Sequence, residues 1–282
     1  MALVVWTGNT DGDWNTVTNW STGALPNAGD DVIFNATSRD VTVSSSVAST
    51  NYNSIRVLPG FTGKLGVAGT KLEVDAANLI IATDQAQVHL DGDYTTGVIT
   101  EIFPTSSTVT GITFGTSSSF TTLRIVGGQG TVEFAGTVTT VQMLQAGNAV
   151  LSVLSTASAF VNLVMDSGEV ITSESITTAD VSGGSLELLN SAGATTVNLT
   201  DSGTLRHNST GTVATLNAFD TATLATTADN STSSGATFTN TNLYDGTIDE
   251  RSGSATTTFT NGINVIGSGL IRPDVTRILT VT

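Results

Sequence analysis

The chain has 282 residues, of which 39% are hydrophobic and 12% are charged, and its formal net charge is −15. This hydrophobic content is enough for a continuous buried core, whereas the acidic balance leaves no basic surface for the phosphates of a nucleic acid. No cysteine is present, which excludes disulfides and thiolate metal sites. No segment reaches the roughly 20 apolar residues that a membrane helix needs. We therefore expect neither nucleic acid nor membrane as a partner.

The remaining composition favours β-structure. Gly occurs 29 times, and Thr, Ser, Val and Ala make up much of the rest of the chain. These residues are typical of short strands joined by tight turns. The composition therefore predicts an all-β fold.

All three tryptophans lie in the stretch WTGNTDGDWNTVTNW (6–20). Four Asx residues alternate there as oxygen ligands do in a calcium loop: Asn9, Asp11, Asp13 and Asn15. The spacing departs from an EF-hand, because its glycine is Gly12 and Trp20 occupies the place of the bidentate Glu. The same residues are typical of turns in which Asx side chains bond their own backbone. A metal site, a ligand platform and a structural plug are the three interpretations at this point.

The next hundred residues are less regular. DDVIF (30–34) and RDVTV (39–43) predict strands within an N-terminal cap or attachment region, residues 1–50. SIRV (54–57), KLEV (71–74) and QVHL (87–90) alternate apolar and polar residues at spacings of 17 and 16, which indicates shorter coils of a solenoid. We expect a continuous solenoid over residues 51–282; a separate small β unit over residues 1–50 is the alternative.

A repeat runs from residue 121 to the end of the chain. Segments that open on Thr or Ala and then alternate apolar with polar residues begin near 121, 139, 159, 177, 195, 213, 237 and 256. Alternation places one side of a strand inward, and a corner glycine such as Gly203 permits a positive φ. A period of mostly 18 to 20 residues leaves no room for a crossover helix. It therefore predicts a single-stranded β-solenoid with 18–20-residue coils.

Equivalent apolar residues of stacked coils should form inward ladders. We predict one ladder from Val132, Val150, Val170, Leu186, Leu205, Leu224, Ile248 and Val265. The insertion ADNSTSSG (228–235) predicts a protruding loop, which is either a spacer or a binding loop. Because an open first coil would expose apolar core and unpaired strand edges, we interpret the stretch 6–20 as an aromatic plug whose Asx residues close its turns. A calcium site is the alternative.

Charge is sparse in the middle of the chain. From Ile102 to Met165 the only charged residues are Arg124 and Glu133. Two interpretations fit this surface. It is either a neutral, hydroxyl-rich exterior in water, or a face buried against identical chains in a homotrimer, where charge would be costly to desolvate.

The search for chemistry yields no catalytic arrangement. Carboxylates pair in DGDY (91–94) and at Asp30–Asp31, but neighbouring residues of one turn rarely face a common substrate as glycosidase carboxylates do, so both pairs are predicted to be turn residues. His89 and His207 lie far apart, and we expect His207 to point outward beside Arg206. We predict no catalytic residue, no cofactor and no metal ligand.

The opening of the chain resembles a known pattern. WTGNTDGDWNTVTNWSTGALPNAGDDVIF (6–34) is similar to the W-x-G…W…NW…G…P…DD-V-x-F start of β-solenoid proteins found in bacterial autotransporter-like and secreted adhesins and in some bacteriophage virion proteins. The matching residues are Trp6, Gly8, Trp14, Asn19, Trp20, Gly23, Pro26, Asp30, Asp31, Val32 and Phe34. The resemblance covers about a tenth of the chain and implies a β-solenoid.

The resemblance leaves several functions open. The sequence runs from Met directly into this motif without an export signal, which favours the virion branch. We expect a non-enzymatic capsid decoration (cement) protein of a tailed phage, on the capsid exterior and assembled in the host cytoplasm. Its partners would be the major capsid protein and itself, as a homotrimer.

Two alternatives remain. One is a host-glycan-binding fibre or spike, in which the loop 229–236 and the aromatic end bind glycan. The other is a secreted, extracellular β-helix adhesin or a polysaccharide-acting enzyme that uses Asp91 and Asp93.

Overall fold

The computed structural model describes residues 1–43, 51–82, 86–101, 111–154, 160–225, 235–249, 257–272 and 280–281. Within these ranges the chain forms 26 strands and a single 3-10 turn, Val17–Asn19. Parallel strands stack as a β-solenoid of about 10 turns with coils of about 20 residues. The predicted fold class is confirmed.

The chain divides into two compact units. Among the described residues, unit 1 comprises Met1–Thr139 and Ala146–Leu151. Unit 2 comprises Thr140–Gln145, 152–154 and the described residues from 160 onward.

Unit 1 contains the strands β1 (Leu3–Val5), β2 (Asp31–Phe34), β3 (Asn51–Val57), β4 (Lys64–Leu65), β5 (Asp75–Ala82), β6 (Gln87–Leu90), β7 (Asp93–Glu101), β8 (Ile112–Phe114), β9 (Ser119–Ile125) and β10 (Gln129–Phe134). Strands β11 (Thr137–Met143) and β12 (Asn148–Val153) begin in unit 1 and end in unit 2. The first parallel sheet of unit 1 has the order β1-β2-β3-β5-β7-β9, and the second has the order β4-β6-β8-β10. From β3 onward each coil therefore contributes one strand to each sheet, whereas β1 and β2 have no counterpart strand in the second sheet among the described residues.

Unit 2 repeats this arrangement. Its remaining strands are β13 (Phe160–Met165), β14 (Glu169–Thr172), β15 (Ile176–Val181), β16 (Ser185–Asn190), β17 (Ala194–Leu199), β18 (Thr204–Ser209), β19 (Thr212–Phe219), β20 (Thr223–Ala225), β21 (Thr237–Tyr244), β22 (Thr247–Asp249), β23 (Thr258–Phe259), β24 (Ile263–Ile266), β25 (Leu270–Arg272) and β26 (Thr280–Val281). The first sheet runs β11-β13-β15-β17-β19-β21-β23-β26, with β24 also paired to β21. The second sheet runs β14-β16-β18-β20-β22-β25.

The core consists of apolar ladders between the two sheets. In the second sheet of unit 2, the register joins Val170, Leu186, Leu205, Leu224 and Ile248 in succession. All five side chains are fully buried. Each coil thus places one apolar side chain against the equivalent residue of the next, which is the source of continuous hydrophobic stabilisation.

Two members of the predicted ladder are wrong. Val150 is only half-buried, and its neighbours Ala149 and Leu151 are the inward residues of β12. Val265 lies in the first sheet opposite Leu243, whereas Ile248 is followed in the ladder by Ile271. Counting a fixed number of residues from coil to coil placed both residues wrongly, because coil length varies. A shift of one residue exchanges the two faces of a strand.

The coils of unit 1 are longer than predicted. The register places Ile55 opposite Leu79, Leu79 opposite Gly97 and Gly97 opposite Leu123, which are intervals of 24, 18 and 26 residues. The shorter spacings of 17 and 16 were wrong because SIRV lies in the first sheet and QVHL in the second, so they are not equivalent positions. KLEV lies outside the strands, where Leu72 forms an isolated bridge with Leu90.

The N-terminal residues join the same sheet. DDVIF forms β2, as predicted, and β2 pairs in parallel with both β1 and β3. RDVTV contributes only isolated bridges, at Val41 and Thr42. The division at residue 50 stays a prediction. The predicted protruding loop lies, except for Gly235, outside the described residues.

A corner of unit 2 uses glycine differently from the expectation. The positive φ after β17 belongs to Asp201, at 49°, and not to Gly203. A Cβ on Gly203 would collide with the carbonyl oxygen of Val181 in the preceding coil. Gly203 is therefore required for close approach of two backbones, while an Asp, a residue enriched in the left-handed region, turns the chain.

Candidate functional site

The three tryptophans form a buried aromatic cluster in unit 1. Trp6, Trp14 and Trp20 are 1%, 1% and 2% exposed. Trp20 meets the other two rings edge to face, at centroid distances of 5.0 and 4.8 Å. All three surround Phe34 at 6.0–6.2 Å. Such offset and edge-to-face contacts are the favoured geometry for aromatic rings. The role of this cluster as a plug over the first coil stays a prediction.

The Asx residues of this stretch close its turns. The Asp11 Oδ1 accepts the backbone N–H of Asp13 at 2.9 Å, and the Asp13 Oδ1 accepts the N–H of Asn15 at 3.0 Å. The predicted Asx turns are thus confirmed. The backbone N–H of Asp13 and the side-chain amide of Asn19 hold the pKa of Asp11 below its ordinary value.

Asn19 is the centre of this network. It is fully buried, and its amide nitrogen donates to the Asp11 Oδ1 at 2.7 Å and to the carbonyl of Asp13 at 2.9 Å. Its Oδ1 accepts the backbone N–H of Thr10 at 2.9 Å. A buried amide is stable only when its donors and acceptors are paired. Sequence reasoning matched Asn19 to a motif without recognising this role.

Asp30 and Asp31 hold neighbouring segments together. The Asp30 carboxylate accepts the N–H of Ala2 at 2.6 Å and of Asn27 at 3.0 Å, and these bonds keep its pKa low. The Asp31 Oδ1 accepts the Ser54 hydroxyl at 2.5 Å and the Asn53 amide at 2.7 Å, which lowers its pKa as well. This carboxylate pair therefore fastens the chain start and the next coil. Asp30 precedes β2, as predicted for a turn residue, whereas Asp31 is the first residue of that strand and the prediction is wrong for it.

The DGDY carboxylates bond to the adjacent coil. The Asp93 Oδ1 accepts the Ser119 hydroxyl at 2.6 Å, and the Asp93 backbone N–H donates to the Asp75 Oδ1 at 2.9 Å. The Asp91 Oδ1 accepts a longer bond of 3.3 Å from the Ser118 hydroxyl. Asp91 thus lies in the connection before β7, as predicted for a turn residue, whereas Asp93 is the first residue of β7 and the prediction is wrong for it.

The histidines are buried, which contradicts the outward position predicted for His207. His207 is 3% exposed, and its ring meets Phe238 edge to face at 5.1 Å. Neither ring nitrogen has a hydrogen-bond partner among the described residues. Burial lowers the pKa of His207 to about 4. His89 bonds to the Thr113 hydroxyl at 2.7 Å, and burial and two lysines, Lys71 and Lys64, lower its pKa.

A polar cleft of about 620 Å³ lies beside the aromatic cluster. Its walls are formed by Gly8, Gly12, Thr37, Ser38, Arg39, Asp40 and Thr42. The carboxylate of Asp40 accepts the backbone N–H of Lys64 at 2.8 Å and so fixes a turn. Arg39 presents the cationic group of this cleft, and it is exposed.

The outer face of the first sheet in unit 2 is a regular array of mostly uncharged polar groups, with Val164 and Asp180 as the exceptions. Two columns run across β11, β13, β15, β17, β19 and β21: one is Thr140, Asn162, Thr178, Thr196, Thr215 and Asn240, and the other is Gln142, Val164, Asp180, Asn198, Asn217 and Asn242. We call these twelve residues the Thr/Asn face. The residues between the columns are buried, so both columns point outward.

The second column is bonded from coil to coil. The Asn198 amide donates to the Asp180 Oδ1 at 2.7 Å, Asn217 to the Asn198 Oδ1 at 2.8 Å and Asn242 to the Asn217 Oδ1 at 2.8 Å. Asn264 in β24 extends this asparagine ladder at 3.3 Å. Each amide is held by the residues before and after it in the ladder. These side chains therefore have less rotamer entropy left to lose when a partner binds.

The two outer faces of unit 2 differ in charge. On the strands of its first sheet, Asp180 is the only charged residue. The strands of the second sheet carry Glu169, Glu187, Arg206, Asp249 and Arg272. Arg206 pairs with Glu169 at 3.2 Å, and Arg272 with Asp249 at 3.8 Å. Periodicity could have revealed this asymmetry only with the correct register.

Other kinds of site have no support among the described residues. No group of three or more His, Cys, Asp or Glu there is placed to hold a metal ion. No helix of the described ranges has the length and hydropathy to cross a bilayer. Comparison with protein-family models, with curated proteins and with solved structures gives no match.

Proposed function

We propose that this protein is a non-enzymatic structural protein of a tailed-phage particle, a decoration protein that binds the capsid exterior. The observation that carries the proposal is the contrast between the charged outer face of the second sheet and the Thr/Asn face of the first. Protein surfaces that are buried in an assembly are depleted of charge at their centre. A long, ordered and nearly uncharged sheet face is suited to contact with protein.

The rigidity of the fold supports the same role. Parallel ladders bury a continuous apolar core, and side-chain bonds join successive coils on the outside. A decoration protein that binds only the assembled capsid stabilises that state by mass action, because disassembly must also release the bound protein. A rigid body loses little conformational entropy in doing so.

Particles that lack the protein test this proposal. We expect them to release their genome at a lower temperature and at a milder osmotic shock than complete particles, and we expect purified protein to restore resistance. Genome release can be followed by the fluorescence of a DNA-binding dye during heating. Equal rupture temperatures for both kinds of particle would refute the decoration role.

The alternative of glycan binding through the aromatic end loses its main support. Sugar recognition by a tryptophan needs an accessible ring face, and Trp6, Trp14 and Trp20 are at most 2% exposed. The loop proposed to assist them lies almost wholly outside the described residues. Substitution of Trp14 would therefore unfold the cluster rather than remove a ligand contact.

A further inference from the structure

We propose that the Thr/Asn face of unit 2 is a self-association surface, and that its occupant is a further copy of this chain. The inference rests on the structural role proposed above. It adds the identity of the partner and the residues that contact it. Three copies, each presenting this face to a common axis, would form the homotrimer.

Charge is the first argument for a second copy. At a net charge of −15, two copies repel one another over distances of about 10 Å at 0.1 M salt. Close contact is least opposed where neither copy carries charge. A basic partner would instead be attracted by carboxylates. These are abundant elsewhere on the chain, whereas the Thr/Asn face has one, Asp180. The face is thus suited to a like-charged partner.

Exposed apolar side chains are the second argument. On β13, Val164 belongs to the Thr/Asn face and is 37% exposed, and Val161 near the start of the same strand is 42% exposed. Burying such side chains would contribute about 25 cal/mol for each Å² removed from water. The Thr/Asn face therefore also carries a hydrophobic driving force for association.

The size of the face is the third argument. Six strands at a spacing of about 4.8 Å span about 25 Å, and strands of six to eight residues are about 20–26 Å long. The flat area is therefore about 600 Å², and projecting side chains increase the accessible surface. A standard interface removes about 800 Å² from each partner, and specific interfaces begin at about 1,200 Å² in total. Two copies in contact through this face would remove about 1,200 Å², which is the lower end of that range.

Order along the face is the fourth argument. The asparagine ladder fixes the side chains of Asn198, Asn217 and Asn242 before any partner arrives. Each amide still has one N–H and one carbonyl lone pair available, since the ladder uses one of each. Pre-ordered groups bind with a smaller entropic penalty.

The experiment measures the mass of the full chain in solution and compares two substitutions in one coil. Thr196→Glu places a charge in the centre of the Thr/Asn face, and Thr204→Glu, the control, places the same charge on the outer side of the second sheet. We expect the unaltered chain and the control to have about three times the monomer mass of 28.8 kDa. We expect Thr196→Glu to weaken association at least tenfold, with an unfolding midpoint near that of the control.

Salt gives an independent reading. Because the proposed contact joins like-charged copies through a nearly uncharged face, added NaCl should tighten it, whereas NaCl would weaken a contact between opposite charges. A monomeric unaltered chain, or a Thr196→Glu chain that associates as tightly as the control, would overturn the inference.

The capsid role is tested separately. A monomer that stabilises capsids, and loses that effect in Thr196→Glu, would make this face the capsid contact and overturn self-association. An oligomer that leaves capsids unchanged would retain the inference and refute the decoration role.

Discussion

His207 shows how a single residue can be misjudged from its neighbour and correctly placed by its strand. Its position beside Arg206 suggests a polar pair in water. Alternation along β18, however, puts His207 on the same side as Leu205, which is fully buried. The register then sets it opposite Leu188 of the preceding coil. The period of two within a strand was therefore the better guide.

We predict that His207 makes stability depend on pH. The folded chain binds a proton at His207 only near pH 4, whereas the unfolded chain does so near 6.5. Between these values the unfolded state holds more protons, so the free energy of unfolding falls as the pH is lowered from 6.5 to 4. The expected loss is about 3 kcal/mol, at about 1.4 kcal/mol for each pKa unit.

His207→Leu should remove this contribution. Urea unfolding at intervals between pH 7 and pH 4 would measure it, with the difference between the unaltered chain and the variant widening toward acid. That difference isolates His207, because His89 and the carboxylates are common to both proteins. Curves that stay parallel over this range would contradict the prediction.

At the scale of the element, successive coils are held by contacts between equivalent positions. On the outer face these contacts include the asparagine ladder. At the corners they include close contacts between the backbones of successive coils. The sequence shows both kinds of residue, Asn on strands and Gly at corners. It does not show their partners, since these lie 16 to 28 residues away in coils of unequal length.

We predict that Gly203→Ala is destabilising for steric reasons alone. Its added Cβ would meet the carbonyl oxygen of Val181, and the coils would have to separate. Overpacking of this kind typically costs about 1–3 kcal/mol. The control is Gly69→Ala, where a Cβ meets nothing within 4 Å. Thermal unfolding of both variants measures the difference, and equal midpoints would refute the steric account.

We also predict that Asn217→Ala weakens the asparagine ladder. The substitution removes one bond to Asn198 and one from Asn242, both of 2.8 Å. These side chains are half-buried, so water replaces part of each bond, and the expected loss is about 1–2 kcal/mol. Thr215→Ala, on the same strand and face but outside the ladder, is the control and should cost less than about 0.5 kcal/mol. Equal losses for the two would argue against the ladder as a source of stability.

In the whole molecule, acidic residues greatly outnumber basic residues. The chain has 24 acidic and 9 basic residues. Among the described residues, ion pairs join Glu169 to Arg206, Asp249 to Arg272 and Asp30 to the chain amine. Most carboxylates are therefore balanced by solvent ions and hydrogen bonds. Folding brings these like charges closer together, which opposes the compact state.

We predict that NaCl stabilises the folded chain at neutral pH. Raising the salt from 0.01 to 0.5 M shortens the Debye length from about 30 Å to a few ångströms, which screens this repulsion. The unfolding midpoint should rise by a few degrees at pH 7. Near the pI of about 4.1 the rise should vanish. The same rise in the Thr196→Glu chain, whose association is expected to be weakened, will separate this effect from association. An unchanged midpoint at pH 7 would contradict the prediction.

The sequence by itself determined the fold class, the approximate coil length and the content of the core. Apolar alternation and corner glycines recur within one coil, and such local patterns do not depend on knowing which coil lies next. It also identified the Asx turns between residues 9 and 15, because an Asx side chain bonds to a backbone only two residues away.

Only the tertiary structure decided which residues face each other across coils. Coil lengths differ, so the partner of a residue cannot be counted from a fixed period, and Val150 and Val265 were misplaced for that reason. The same register created the asparagine ladder, the burial of His207 and the separation of charged and uncharged faces. These features carry the proposed interactions, and they follow from pairing between distant segments, which no local pattern encodes.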